Sequence, residues 1–89
     1  MRTVEIIHLR LAGKKPKTLV ESIRKSFDSE PDVEVTEFYR RCGLDTDLAV
    51  HILHRKETGT GQPSDLGVRL ASALQAYGLV EHTLWERLE

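Results

Sequence analysis

The chain has 89 residues, 39% of them hydrophobic and 30% charged, with a formal net charge of -1 and a pI near 6.4. At this size a single α+β domain over residues 1–89 is expected, burying only about 60% of the surface its unfolded chain exposes, so pairing with a second copy would add useful burial. Balanced charge gives no global pull toward nucleic acid or anionic membrane, and no stretch has the length of a membrane span. A single cysteine, Cys42, excludes an internal disulfide and a multi-thiolate zinc site. No secretory signal pattern follows Met1, which gives the expectation of a cytoplasmic protein.

Thr3 to Leu11 alternates, with Ile7, Leu9 and Leu11 on one side and Val4, Ile6, His8 and Arg10 on the other, the period of a strand. Pro16 suits a first helical turn, and Leu19, Val20, Ile23 and Phe27 recur at helical spacing, predicting a helix from Lys17 to Phe27. After a turn at Asp28 to Asp32, the β-branched and aromatic residues of Val33 to Arg41 predict a second strand. Val33 and Val35 have odd parity and Phe38 and Cys42 even parity, so a bulge or an edge strand is expected there. Gly43 to Asp47 forms a hairpin loop, and Leu48 to Arg55 a third strand with Leu48, Val50 and Ile52 on one face.

The run Lys56 to Pro63 has two glycines, a proline and almost no apolar residue, the composition of a mobile connector. Ser64 or Asp65 can cap a second helix that turns Leu66, Leu70, Ala73, Leu74 and Tyr77 to the core, with Gly78 as a left-handed stop. Leu79 to Leu88 then reads as a final strand. The order βαββαβ predicts a ferredoxin-like fold, a four-stranded antiparallel sheet with two helices on one face. Parity places Ile7, Leu9, Leu11, Leu48, Val50 and Ile52 under the helices. It leaves Val4, Ile6, His8, Arg10, Ala49, His51, Leu53 and Arg55 on an open face, joined by Trp85.

So apolar a face is expected to meet a partner, and a homodimer through the open sheet is the simplest cover. Centring the two central strands brings His8 close to His51. Two imidazoles suit either metal binding or proton transfer, but two ligands are too few, a third would have to come from Glu37, Tyr39 or a second copy, and no metal motif is present. Val80, His82 and Leu84 are expected inward, with His82 a satisfied core histidine, and His54 solvated near a strand end. His8, Arg10, Tyr39, His51 and Trp85 are the ligand or interface candidates, Tyr39 and Trp85 because they can stack a flat molecule. Lys14, Lys15 and Lys17, at a helix N-terminus, are candidates for anion binding. No catalytic residue is assigned, and neither a metal nor a cofactor is expected.

The IIHLRL strand, the LGVRLASAL helix and the HTLW strand, in this order, resemble the dimeric α+β barrel superfamily, which includes the antibiotic-biosynthesis-monooxygenase-like and stress-responsive barrel families. That resemblance spans nearly the whole chain at the level of fold. It implies paired sheets and, in some members, cofactor-free oxygenases or isomerases acting on small organic molecules. Two functional classes follow: a homodimeric module with a small-molecule pocket, and a cofactor-free small enzyme. An open-sheet binder of single-stranded nucleic acid is disfavoured, because the central strands lack an aromatic stacking pair. A weaker resemblance links the strand order, with the Ala12-Gly13 turn, to amino-acid-binding regulatory domains.

Overall fold

The computed structural model describes residues 3–13, 18–44, 46–54, 62–86 and 88. Six elements follow in the predicted order: β1 (Thr3–Leu11), α1 (Leu19–Ser26), β2 (Val33–Arg40), β3 (Asp47–His54), α2 (Asp65–Leu74) and β4 (Gly78–Glu86). The strands form one antiparallel sheet in the order β2-β3-β1-β4, the ferredoxin-like arrangement. Both central strands put their odd or even apolar set under the helices. Ile7, Leu9, Leu11, Leu48, Val50 and Ile52 are buried with Leu19, Ile23, Phe27 and Leu74.

The mixed parity of β2 resolves as a bulge. Val33 pairs with His54 while Val35 pairs with Leu53, so one extra residue separates them and both Val33 and Phe38 reach the core side. The Arg24 guanidinium lies 5.2 Å from the Phe38 ring centre and ties α1 to this edge strand.

On α2 the inward stripe is Leu66, Leu70, Ala71 and Leu74, with Gly67 buried among them. Ala73 and Tyr77, expected in the core, are instead exposed, because the helix ends at Leu74 and position 73 is rotated away from the 66-70-74 line. Ser64 is the cap, its hydroxyl accepting from the Gly67 amide at 3.0 Å. Gly78 is not a left-handed stop. Gln75 closes the helix, Gly43 at φ 80° is the one positive-φ glycine among the described residues, and Gly78 already pairs with Leu11 in the sheet. What demands glycine at 78 is close approach, since a Cβ there would stand 2.0 Å from the Arg10 carbonyl oxygen.

Candidate functional site

The registers lay the open face out in rows running from β2 to β4. Tyr39, Ala49, His8 and Glu81 form one row, Glu37, His51, Ile6 and Thr83 the next, and Leu53, Val4 and Trp85 the third. Asp47, Arg10 and Leu79 form a fourth row beyond His8. His8 therefore stands opposite Ala49, and His51 opposite Ile6. The two imidazoles share a face but are offset by two residues, a correction to the pairing that centred strands imply.

The offset gives His8 a different partner. An aromatic or long side chain still reaches a diagonal neighbour on the next strand, and His8 Nε2 lies 3.2 Å from Asp47 Oδ2. Asp47 is only 3% exposed although it sits on the open face, because Arg10, Arg41 and Thr46 crowd it. Arg10 Nε is 3.7 Å from Oδ1, Arg41 Nη1 is 3.6 Å from Oδ2, and the Thr46 hydroxyl reaches Oδ1 at 3.4 Å. Burial alone would raise this carboxyl, but the hydrogen bond from His8, the charges of Arg10 and His8 and the Arg41 guanidinium outweigh it and hold Asp47 below its ordinary range. A carboxylate can only accept. The bond to the carboxylate takes a proton on His8 Nε2, and in the neutral ring Nδ1 would keep its lone pair.

A hollow of about 250 Å³ opens beside this pair, with Ile6, Leu48 and Ala49 against Tyr39, Arg40 and Arg41. A second, of about 200 Å³, lies on the other side of His8, between Arg10, Glu81 and Leu79. Tyr39 packs its ring 4.6 Å from that of His51, and its hydroxyl donates to Glu37 at 3.0 Å. That hydrogen bond, with burial and the charge of the same carboxylate, pushes the phenol above its usual value. Trp85 is at the far end of the face, 58% exposed, with its indole N–H on the Thr83 hydroxyl at 2.8 Å. The structure thus brings His8 and Arg10 together on Asp47, sets Tyr39 and His51 beside them, and leaves Trp85 apart. Lys14, Lys15 and Lys17 lie outside the described residues, as do Arg55 and most of the connector after it.

Beneath the sheet is a second polar cluster that the sequence reading missed. Glu5 is 1% exposed. Its Oε1 accepts from His54 Nε2 at 2.6 Å and from the Ser64 amide at 3.0 Å, and its Oε2 from His82 Nε2 at 2.8 Å. His82 is inward as expected, but His54 is a correction: it is 8% exposed rather than solvated, because it shares the inward parity of Leu48, Val50 and Ile52 and its ring bonds Glu5. Burial would raise the Glu5 carboxyl, yet the hydrogen bonds from Ser64, His54 and His82 hold it below its ordinary value of 4.5, and the positive end of α2 acts in the same direction. The signal was present in the sequence. Glu5 shares the odd parity of Ile7, Leu9 and Leu11, so an inward carboxylate was implied and had to find donors.

Among the described residues no three His, Cys, Asp or Glu side chains are arranged to hold a metal ion, and no helix is long and apolar enough to cross a membrane. No protein-family model matches the chain, and no curated protein matches it in sequence. A structural match is found to SnoaB, a cofactor-independent oxygenase from Streptomyces nogalater, at 17% identity and a TM-score of 0.68, covering 99% of this chain and 94% of that one. The chain has the ferredoxin-like α+β fold of that antibiotic-biosynthesis-monooxygenase-like protein, and at this identity the likeness is one of fold.

Proposed function

We propose that the protein is a homodimeric module whose two open sheet faces meet and enclose a small-molecule site at the His8–Asp47 corner. The observation that carries this reading is the open face itself. Half-buried Val4, Ile6 and Leu53 adjoin an exposed Trp85, and beyond the polar row of His8 and Glu81 lie a Leu79 that is 74% exposed and the buried, hydrogen-bonded Asp47. Surface of that kind ordinarily meets a partner, and the superfamily that the chain resembles pairs its sheets in this way. Sedimentation velocity should give twice the 10.1 kDa chain mass. Placing charge in the apolar row, as Trp85→Asp with Leu53→Asp, should return the single-chain mass with an unaltered far-UV spectrum. A wild-type chain that sediments as a monomer at high micromolar concentration overturns the proposal.

A second reading, a cofactor-free enzyme of the oxygenase or isomerase type, is favoured by one specific feature. His8 is held by a carboxylate through Nε2 and offers Nδ1, the disposition of a general base, with arginines beside it to stabilise an oxyanion. Such a base would take a proton from a carbon next to a carbonyl and keep it on Nδ1 for return. Exchange of the α-hydrogens of an aromatic ketone such as tetralone into deuterium oxide should then exceed the buffer rate and fall about a hundredfold or more toward it in His8→Ala. Exchange that His8→Ala leaves unchanged would dismiss the enzymatic reading without touching the dimer.

A further inference from the structure

β4 forms one edge of the sheet, and among the described residues no strand lies beyond it. Its backbone groups are divided between two sides. The Ile6 carbonyl lies toward β4, accepting from the Thr83 hydroxyl at 3.5 Å, and just past β1 the Ala12 N–H donates to the Tyr77 carbonyl while that of Leu11 turns away to Thr46. Even-numbered residues of β1 therefore face β4, and their register partners Leu79, Glu81, Thr83 and Trp85 face back. That leaves the N–H and C=O groups of Gly78, Val80, His82, Leu84 and Glu86 along the free edge. The opposite edge strand, β2, has a bulge, a usual device against the addition of a further strand. β4 runs for nine residues in unbroken register, without lysine or proline.

A second copy of β4 can meet this edge antiparallel about a twofold axis, provided that free groups meet free groups, so even-numbered residues must oppose even-numbered ones. Three such registers overlap most of the strand. Centring on Glu81 sets two carboxylates directly opposite each other, which is destabilising. Centring on Thr83 sets Trp85 against the partner's Glu81 and leaves Leu79 beyond the paired strand. Centring on His82 pairs all nine residues. Leu79, 74% exposed, then faces the partner's Trp85, which is 58% exposed, on the open side, Val80 faces the partner's Leu84 on the helix side, and Glu81 faces the partner's Thr83. The two His82 side chains flank the axis, each bonded to the Glu5 of its own chain. We infer that β4 pairs along its free edge with β4 of a second copy, in the register centred on His82, joining two four-stranded sheets into one. The inference rests on the homodimer reading and adds the line of contact: curled with its open side inward, the joined sheet brings the two open faces opposite each other.

The test uses the full chain with Cys42→Ser, which removes its one native thiol. Glu81 and the partner's Thr83 would form a non-hydrogen-bonded pair with Cα atoms about 4.5 Å apart, within disulfide reach. Chains carrying Glu81→Cys, mixed under reducing conditions with chains carrying Thr83→Cys and then oxidised, should give the mixed disulfide in at least about tenfold excess over either self-linked product. A second readout needs no new thiol. In the wild-type chain, at a concentration about a hundredfold above the Kd of the dimer, the Val80, His82 and Leu84 amides should exchange with deuterium about a hundredfold more slowly than in dilute monomer. A stable dimer that leaves these amides unprotected, or that links Glu81→Cys chains to one another as readily as to Thr83→Cys chains, overturns the inference while the homodimer stands. A chain that remains monomeric at high micromolar concentration overturns both.

Discussion

Glu5→Ala should destabilise the fold by about 3 to 5 kcal/mol, the usual cost of removing one partner from a buried charged network, and a large share of the total for a domain of this size. The truncation leaves the Nε2–H groups of His54 and His82 and the Ser64 amide without their acceptor, in a buried to half-buried region. Three elements lose a common anchor: β3 through His54, β4 through His82, and the first turn of α2 through Ser64. Glu5→Gln keeps one acceptor oxygen and should lose less. The same carboxylate sets the response to acid. Its folded-state value is depressed, so its contribution is fully present above the ordinary 4.5 and is lost as pH falls through the folded value. Asp47, held below its ordinary 3.8, acts with the same sign. Urea midpoints between about pH 7 and about pH 3 should fall steeply in wild type and less steeply in Glu5→Gln. Equal slopes would mean that Glu5 is not the group that titrates.

Gly67→Ala should destabilise by about 1 to 3 kcal/mol, the range for overpacking a filled interior. In an ordinary helix interior the same change stabilises by about 1 kcal/mol. The reversal has a definite cause. A Cβ at 67 would stand 2.0 Å from Glu5 Oε2 and 3.0 Å from His82 Cε1, and the carboxylate cannot swing away without leaving the three donors that hold it. A double-mutant cycle by chemical denaturation checks this directly. In the Glu5→Ala background the main obstruction is gone and His82 is released from its acceptor, so the cost of Gly67→Ala should shrink toward zero. Additive costs would show that the helix is seated on the sheet by something other than this contact.

Both variants probe residues that sequence reasoning underused, and the reason is instructive. Parity along β1 and β3 was legible because strand side chains alternate with period two, and burial of Ile7, Leu9, Val50 and Ile52 follows directly. Parity also contained Glu5, but a carboxylate in a core register makes sense only once its donors are known. Those come from positions 54, 64 and 82, distant in sequence, and no local pattern announces them.

The His8 and His51 pairing failed for a sharper reason. A register slip of one residue would turn a strand's apolar set to the solvent, whereas a slip of two preserves every face. The sequence can therefore exclude odd slips and is blind to even ones. The actual register, Ile6 with His51 and His8 with Ala49, differs by just such an even step. That step takes His8 away from His51 and within reach of Asp47, the end residue of a strand placed one position later from its sequence.

From the sequence alone came the element order, the two-sided sheet, a β2 that had to be bulged or at an edge, and the facing of the two central strands, all of which depend on side-chain periodicity and local turn chemistry. Tertiary structure alone decided which polar groups meet. Diagonal contacts across strands and the seating of α2 on Glu5 depend on register and interlayer distance, quantities that no single segment of the chain encodes.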